Sequence, residues 1–181
     1  AQLLMERSDA WLRRFIPFTS DRARTLDEMA HWIRLHRAAF DRDEHYRYAV
    51  LHRDRGVLVG ETMMLDREQR GDREVGYWVD VEHQGRGYVT ESTAAMVALA
   101  FEVDGVDEVL LNCSPTNLGS IAVARRLGFT HTSTRTRTDP VSPDDSESMR
   151  WVLPRADYPT SLSAGVSLRA YDLLERLILE R

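Results

Sequence analysis

Residues 74–129 read EVGYWVDVEHQGRGYVTESTAAMVALAFEVDGVDEVLLNCSPTNLGSIAVARRLGF, and their order decides the fold. A β-rich run, 74–81, ends in a glycine-spaced turn, Gln84-Gly85-Arg86-Gly87-Tyr88-Val89. The turn opens into an apolar, Ala-rich segment, 90–103, that reads as a helix. A second strand pattern, 108–113, leads through Ser114-Pro115-Thr116-Asn117 into a further helix that stops at Gly128. Strand, glycine turn, helix, strand, polar turn and helix make a βαβα unit. Its first turn is suited to an anion. The first four N–H groups of a helix lack internal partners, and the helix dipole places partial positive charge there. Gly85 and Gly87 carry no Cβ, so the backbone can approach a phosphate closely. Gln84 and Arg86 add donors at the rim, and residues 84–90 read as a pyrophosphate cradle.

Two other phosphate-binding turns are excluded by composition. No Gly-Lys-Ser/Thr follows the turn, so it is not a P-loop. The third glycine of a dinucleotide fingerprint is absent, and no acidic residue ends the next strand at the usual place.

Outward from this unit, residues 1–15 have helical spacing in Leu3, Leu4, Trp11 and Leu12, with Pro17 as the stop. Residues 15–18 read as an apolar connector. Thr25 with Glu28 is a capping-box signature opening a helix to about Phe40. His31 and His36 on it are five apart and share no face, so they read as flank histidines rather than metal ligands. Residues 46–52 and 57–65 read as strands around a turn at Asp54-Arg55-Gly56, and 67–73 as a charged loop. In the 74–81 strand Val75, Tyr77, Val79 and Val81 share one face, with Glu74, Gly76, Trp78 and Asp80 on the other. Bulk on both faces predicts a central strand. Beyond Phe129 come a solvated strand, 130–138, a Pro/Asp/Ser loop, 139–147, and a last strand, 149–153.

The motifs resemble the GNAT N-acetyltransferase superfamily. Its acetyl-CoA pattern, Gln/Arg-x-x-Gly-x-Gly/Ala, is met by Gln84, Gly87 and Val89, where Val89 stands in place of the preferred Gly or Ala. The set Glu74–Trp78, Gly85–Glu91, Asn117–Ser120 and Leu127–Phe129 resembles the RimJ/RimL-like branch, which acetylates ribosomal-protein N-termini. The resemblance implies an α/β (α+β) GNAT fold, with a mixed, mostly antiparallel sheet of about seven strands flanked by helices. It further implies that the sheet splays between its two central strands and that pantetheine fills the gap. Cofactor contacts are implied for Val79, Val81, Gln84, Gly85, Arg86, Gly87, Tyr88, Val89, Thr90, Asn112, Asn117 and Ser120. The helix pair in residues 1–40 would cover the acceptor side, with its loop selecting the substrate.

GNAT folds begin with an edge strand that this chain lacks at its start. Residues 165–172, GVSLRAYD, resemble it, and 173–181 have a helical pattern whose apolar stripe continues into Leu4 and Trp11. The expectation is one domain over 1–181, either circularly permuted or with its end exchanged between copies. Residues 158–164 would then be a linker into the displaced strand, 166–170. The alternative is a plain amphipathic C-terminal helix serving a homodimer.

The implied chemistry is direct attack of a neutral amine on the acetyl-CoA thioester. An α-amine, with a pKa of about 8, costs about 1 kcal/mol to deprotonate at pH 7, and a lysine nearly 5. The acceptor is therefore read as a protein N-terminus, with an antibiotic or polyamine amine as the alternative, or a non-catalytic CoA-binding module as an alternative of another class. Glu74 is the candidate base, with Tyr77 and Glu61 as rivals, and Ser120 the candidate donor to the departing thiolate. Asn117 reads both as a helix cap and as a pantetheine contact.

Composition bounds these readings. The 181 residues are 43% apolar with a net charge of −5, enough for one core and without a basic block for nucleic acid. All 24 basic residues other than histidine are arginine. No 18-residue apolar run or N-terminal leader pattern occurs, so no membrane association is expected. Cys113, the single cysteine, reads as a buried thiol in a reducing, cytoplasmic setting, and no metal is expected.

Overall fold

The computed structural model describes residues 2–16, 25–66, 71–138, 140 and 142–181. In chain order it contains helices α1 (Gln2–Leu12) and α2 (Leu26–Asp41), then strands β1 (His45–Leu51), β2 (Leu58–Asp66) and β3 (Asp72–Val79). Helix α3 (Tyr88–Glu102), strand β4 (Glu108–Cys113) and helix α4 (Leu118–Arg126) follow. The chain closes with β5 (Thr130–Thr136), β6 (Glu147–Pro154), β7 (Arg169–Tyr171) and β8 (Leu177–Glu180). Six strands form one sheet in the order β1-β2-β3-β4-β6-β5. Only β3 and β4 run parallel, joined by α3.

Alternation along the strands separates two faces. On one, Val75, Val109, Leu111, Cys113, Trp151 and Leu153 pack with Val97, Phe101, Ile121 and Ala124 of α3 and α4. On the other, Met63 and Trp78 pack against Leu12 of α1. Thr25 caps α2 through the full reciprocal capping box. Phe40 of α2 meets Tyr46 and Tyr48 of β1 edge-on, at 5.3 and 5.7 Å between ring centroids. The stop at Pro17 and the selecting loop between α1 and α2 lie outside the described residues, as does most of the charged loop before β3. No described helix is long and apolar enough to cross a membrane.

The expected seventh strand is not in the sheet. Arg169–Tyr171 pairs with Leu177–Glu180 in a separate two-stranded hairpin, so the permutation expectation fails. The C-terminal helix fails with it. The Asp172 carboxylate accepts from the N–H groups of Leu174 and Arg176 at 2.8 and 3.0 Å, and Glu175 adopts φ +58. This turn reverses the chain before a helix can propagate, and side-chain-to-backbone bonding overrides the apolar periodicity. The segment expected as a linker is packed instead: Tyr158 stacks on Phe101 at 4.6 Å between ring centroids. Arg181 pins the end of the chain, bonding to Glu102 of α3 and to the Ser163 carbonyl.

Candidate active site

Strand β3 pairs with β2 along its length, but with β4 only at Asp72–Glu108, Arg73–Val109 and Glu74–Leu110. Beyond Glu74 the two strands part. An open cleft of about 1180 Å³ passes through the gap and reaches both faces of the sheet. The expected splay is therefore present, and Glu74 stands at its apex.

At one end the cleft meets the start of α3. Gly85 and Gly87 have φ of +70 and +88, values open to glycine and costly for other residues. Gly87 is the N-cap and supplies no side-chain cap. The first helical bond runs from the Glu91 N–H to the Gly87 carbonyl at 2.9 Å. The N–H groups of Tyr88, Val89 and Thr90 thus have no intrahelical acceptor, and all three residues line the cleft. Val89 lies inside the first helical turn, where a branched side chain needs no unusual backbone angle. These uncapped donors and the open space around both glycines fit a pyrophosphate. Gln84 lines the cleft too, whereas Arg86 and Val81 do not. Val81 was expected on the strand. It lies in a 3-10 turn over Val81–His83, and its N–H donates to Ser8 Oγ at 3.1 Å.

The turn before the cradle is fixed by a cluster that no local motif announces. Asp80 is fully buried and accepts from Arg7 at 3.0 and 2.5 Å, Ser8 at 2.9 Å and His83 at 2.6 Å. Burial works against its charge, but the bonds from Arg7, His83 and Ser8 prevail and hold the carboxyl below its usual range. A depressed folded value makes this stabilisation fully present above the unfolded pKa of 3.8 and lost as pH falls through the folded one. Asp80→Ala strips four donors of their acceptor and frees α1 from the cradle. Its melting temperature should fall by about 5–10 °C, read by circular dichroism. An unchanged melting curve would remove the clasp as a structural element.

At the apex, Glu74 is buried, and its carboxylate accepts from Asn112 Nδ2 at 2.8 Å. Asn112, expected as a cofactor contact, lines the cleft and donates its amide to Glu74. Glu61, the acidic rival, is held by Trp78 Nε1 at 3.0 Å and Arg47 at 3.3 Å and does not line the cleft.

Tyr77, Cys113 and Ser120 lie on the opposite, α3/α4 side of the gap. The Tyr77 hydroxyl is buried and makes no hydrogen bond of good geometry. Burial pushes it well above its ordinary range, and nearby Ser120 only partly offsets this. Tyr77 thus keeps its phenolic proton at neutral pH. Burial likewise pushes the Cys113 thiol up to about 11, so it stays protonated and is no nucleophile at neutral pH. Asn117 caps α4 by accepting from the Ser120 N–H at 3.1 Å. Its cap role is observed, and it also lines the cleft beside Ser120. Val79 lines the cleft on β3.

Residues 1–130 match the family model described as acetyltransferase (GNAT) domain. The probable N-acetyltransferase YjcK of Bacillus subtilis is 26% identical over 129 residues, covering 70% of this chain and 71% of YjcK. Other N-acetyltransferases of that organism match over between 41% and 51% of their own lengths. Among solved structures, Mycobacterium smegmatis RimJ in complex with CoA-disulfide superposes with a TM-score of 0.78 at 18% identity, over 91% of this chain and 83% of RimJ. RimL, the ribosomal L7/L12 alpha-N-protein acetyltransferase, in complex with coenzyme A, superposes at 0.76 and 18% identity, over 84% and 85%.

Proposed function

This chain belongs to the GNAT acetyltransferase family, and on that premise we propose that it transfers acetyl from acetyl-CoA to a protein N-terminal α-amine. The carrying observation is the parting of β3 and β4 at Glu74, with uncapped helix donors at one end of the gap and a buried carboxylate at its apex. The N-terminal acceptor is supported by the RimJ/RimL-like motifs and by the ease of deprotonating an α-amine.

The cosubstrate supplies an activated acetyl group as a thioester. The N–H groups of Tyr88, Val89 and Thr90, with Gln84 and Gly85, hold its pyrophosphate. Val79 and Asn117 border the pantetheine channel. Glu74 accepts the ammonium proton of the amine, directly or through a water, and Asn112 keeps the carboxylate oriented. The amine nitrogen takes the acetyl group, the C–S bond breaks, the sulfur leaves with its electron pair, and the second proton shed by the nitrogen as the amide forms passes to the departing thiolate or to solvent. Ser120 and Tyr77 donate hydrogen bonds to that sulfur from the α4 side. Placing the base and the donors on opposite faces of the sheet lets the acceptor enter from one side and the thiolate be stabilised on the other.

A panel of free N-terminal peptides and small amines, assayed for CoA release and product mass, tests the reading. Transfer to small amines but to no peptide would overturn the N-terminal acceptor. Ser120→Ala should lower kcat by about tenfold, the scale of a lost neutral donor, with little change in acetyl-CoA KM. The reverse pattern would leave Ser120 a binding residue only.

A further inference from the structure

We infer that the acceptor entrance holds an anion-recognition subsite centred on Arg135, so that acceptors bearing a carboxylate or phosphate close to the amine are preferred. The inference rests on the acetyl-transfer reading of the same cleft. Strand register places the groups. Glu74 is paired with Leu110, and Asn112 lies two residues on along the same face of β4. Arg150 of β6 stands opposite Asn112, and Ser148, on the same face, stands opposite Arg135 of β5. Arg135, Ser148 and Arg150 all line the cleft. A row of side chains thus runs outward from the base across β4 and β6 to β5.

The charges along this row are unequal. Arg150 bonds to Glu108 at 3.1 Å, and Arg137 faces Asp145 at 3.2 Å. Arg14 of the segment after α1 pairs with Asp144 at 2.7 Å. Arg135 has no acidic partner among the described residues. A guanidinium offers a planar fork of donors matched to a carboxylate or phosphate, and here that fork faces the entrance unclaimed.

Distance sets which part of the acceptor meets it. Neighbouring strands are about 4.8 Å apart and Arg135 lies level with residue 114, four residues or about 13 Å along the strands from Leu110, so its Cα stands about 20 Å from that of Glu74. An extended peptide advances about 3.4 Å per residue. With the amine beside the Glu74 carboxylate, two to three extended residues, an acidic side chain and the long arginine side chain together span that distance, so acidic groups at positions 2 and 3 come within reach of Arg150 and Arg135.

The test uses paired free-amine octapeptides identical except for Glu or Lys at positions 2 and 3, together with phosphoethanolamine and ethanolamine. Each is titrated calorimetrically into the full chain saturated with CoA and assayed for acetylation. The acidic member of each pair should bind about tenfold more tightly, the scale of one charge-assisted fork. In Arg135→Glu the preference should vanish or invert, with CoA affinity and melting temperature unchanged. Arg135→Ala should give an intermediate ratio. Equal binding of the paired members to the wild type, or a preference that survives Arg135→Glu, would overturn the subsite. If acidic peptides bind preferentially but only the small amine is acetylated, the subsite stands and the N-terminal acceptor falls.

Discussion

Titration of CoA into the Gly87→Glu variant should give no measurable heat at concentrations that saturate the wild type, a loss of at least about 100-fold in affinity. Two effects combine at this position. Gly87 has φ +88, and a residue with a Cβ pays about 1–2 kcal/mol to hold that angle. No atom lies within 4 Å of where the Cβ would stand, so the side chain fits without a clash and the fold survives. The strain should appear as a drop of only about 2–8 °C in melting temperature. The larger effect is electrostatic. The new carboxylate occupies the mouth of the uncapped α3 terminus, where it satisfies the donors of Tyr88–Thr90 itself and repels the pyrophosphate. Gly87→Ala separates the two contributions, since it adds the strain without the charge. It should show the same small drop in melting temperature while keeping CoA affinity within about tenfold of the wild type. Unaltered CoA affinity in Gly87→Glu would sink the pyrophosphate assignment.

Legibility of the site in the sequence followed the range of the interactions that build it. Strand β4 covers Glu108–Cys113, the limits that its sequence pattern predicts, because Val109, Leu111 and Cys113 are buried on its core face and the residues on either side are polar or turn-forming. The cradle was readable because glycine spacing and a following helix are local features. Only the helix start moved, from residue 90 to Tyr88, since Gly87 itself serves as the cap. Pairings between distant residues leave no such trace. The Glu74–Asn112 bond joins residues 38 apart, and the Arg7–Asp80 clasp joins residues 73 apart. Asp80 read as one more position on an alternating strand, yet its burial inside a ring of donors sets the approach to the cradle. The C-terminal segment failed for a different reason. Its leucines have helical spacing, but a single aspartate that bonds two backbone N–H groups decides the turn, and Leu173 and Leu174 remain exposed instead of forming a packed stripe.

The second large effect is expected from Glu74→Gln. Glutamine keeps the length of the side chain and an oxygen that accepts from Asn112 Nδ2, so the 2.8 Å contact and the fold should persist, with an unchanged melting curve and acetyl-CoA KM. Only the capacity to take a proton is lost. A general base contributes about 10²–10⁴-fold, and an amine that is already partly neutral draws on the lower end, so kcat at pH 7 should fall about 100-fold. The loss should not be uniform in pH. An α-amine has a pKa of about 7.7–8.0, so above pH 9 nearly all of the acceptor arrives neutral and needs less help. The ratio of wild-type to variant kcat should therefore shrink to a few-fold by about pH 9.5. Tyr77→Phe is the matched control. Its phenol is already held neutral by burial, so removing it should lower kcat at all pH values alike without moving the profile. A Glu74→Gln profile parallel to that of the wild type would transfer the base role away from Glu74. With Glu61 held by Trp78 and Arg47, the proton would then pass to solvent in the gap between β3 and β4 or to another group that lines it, Asp72 or His83.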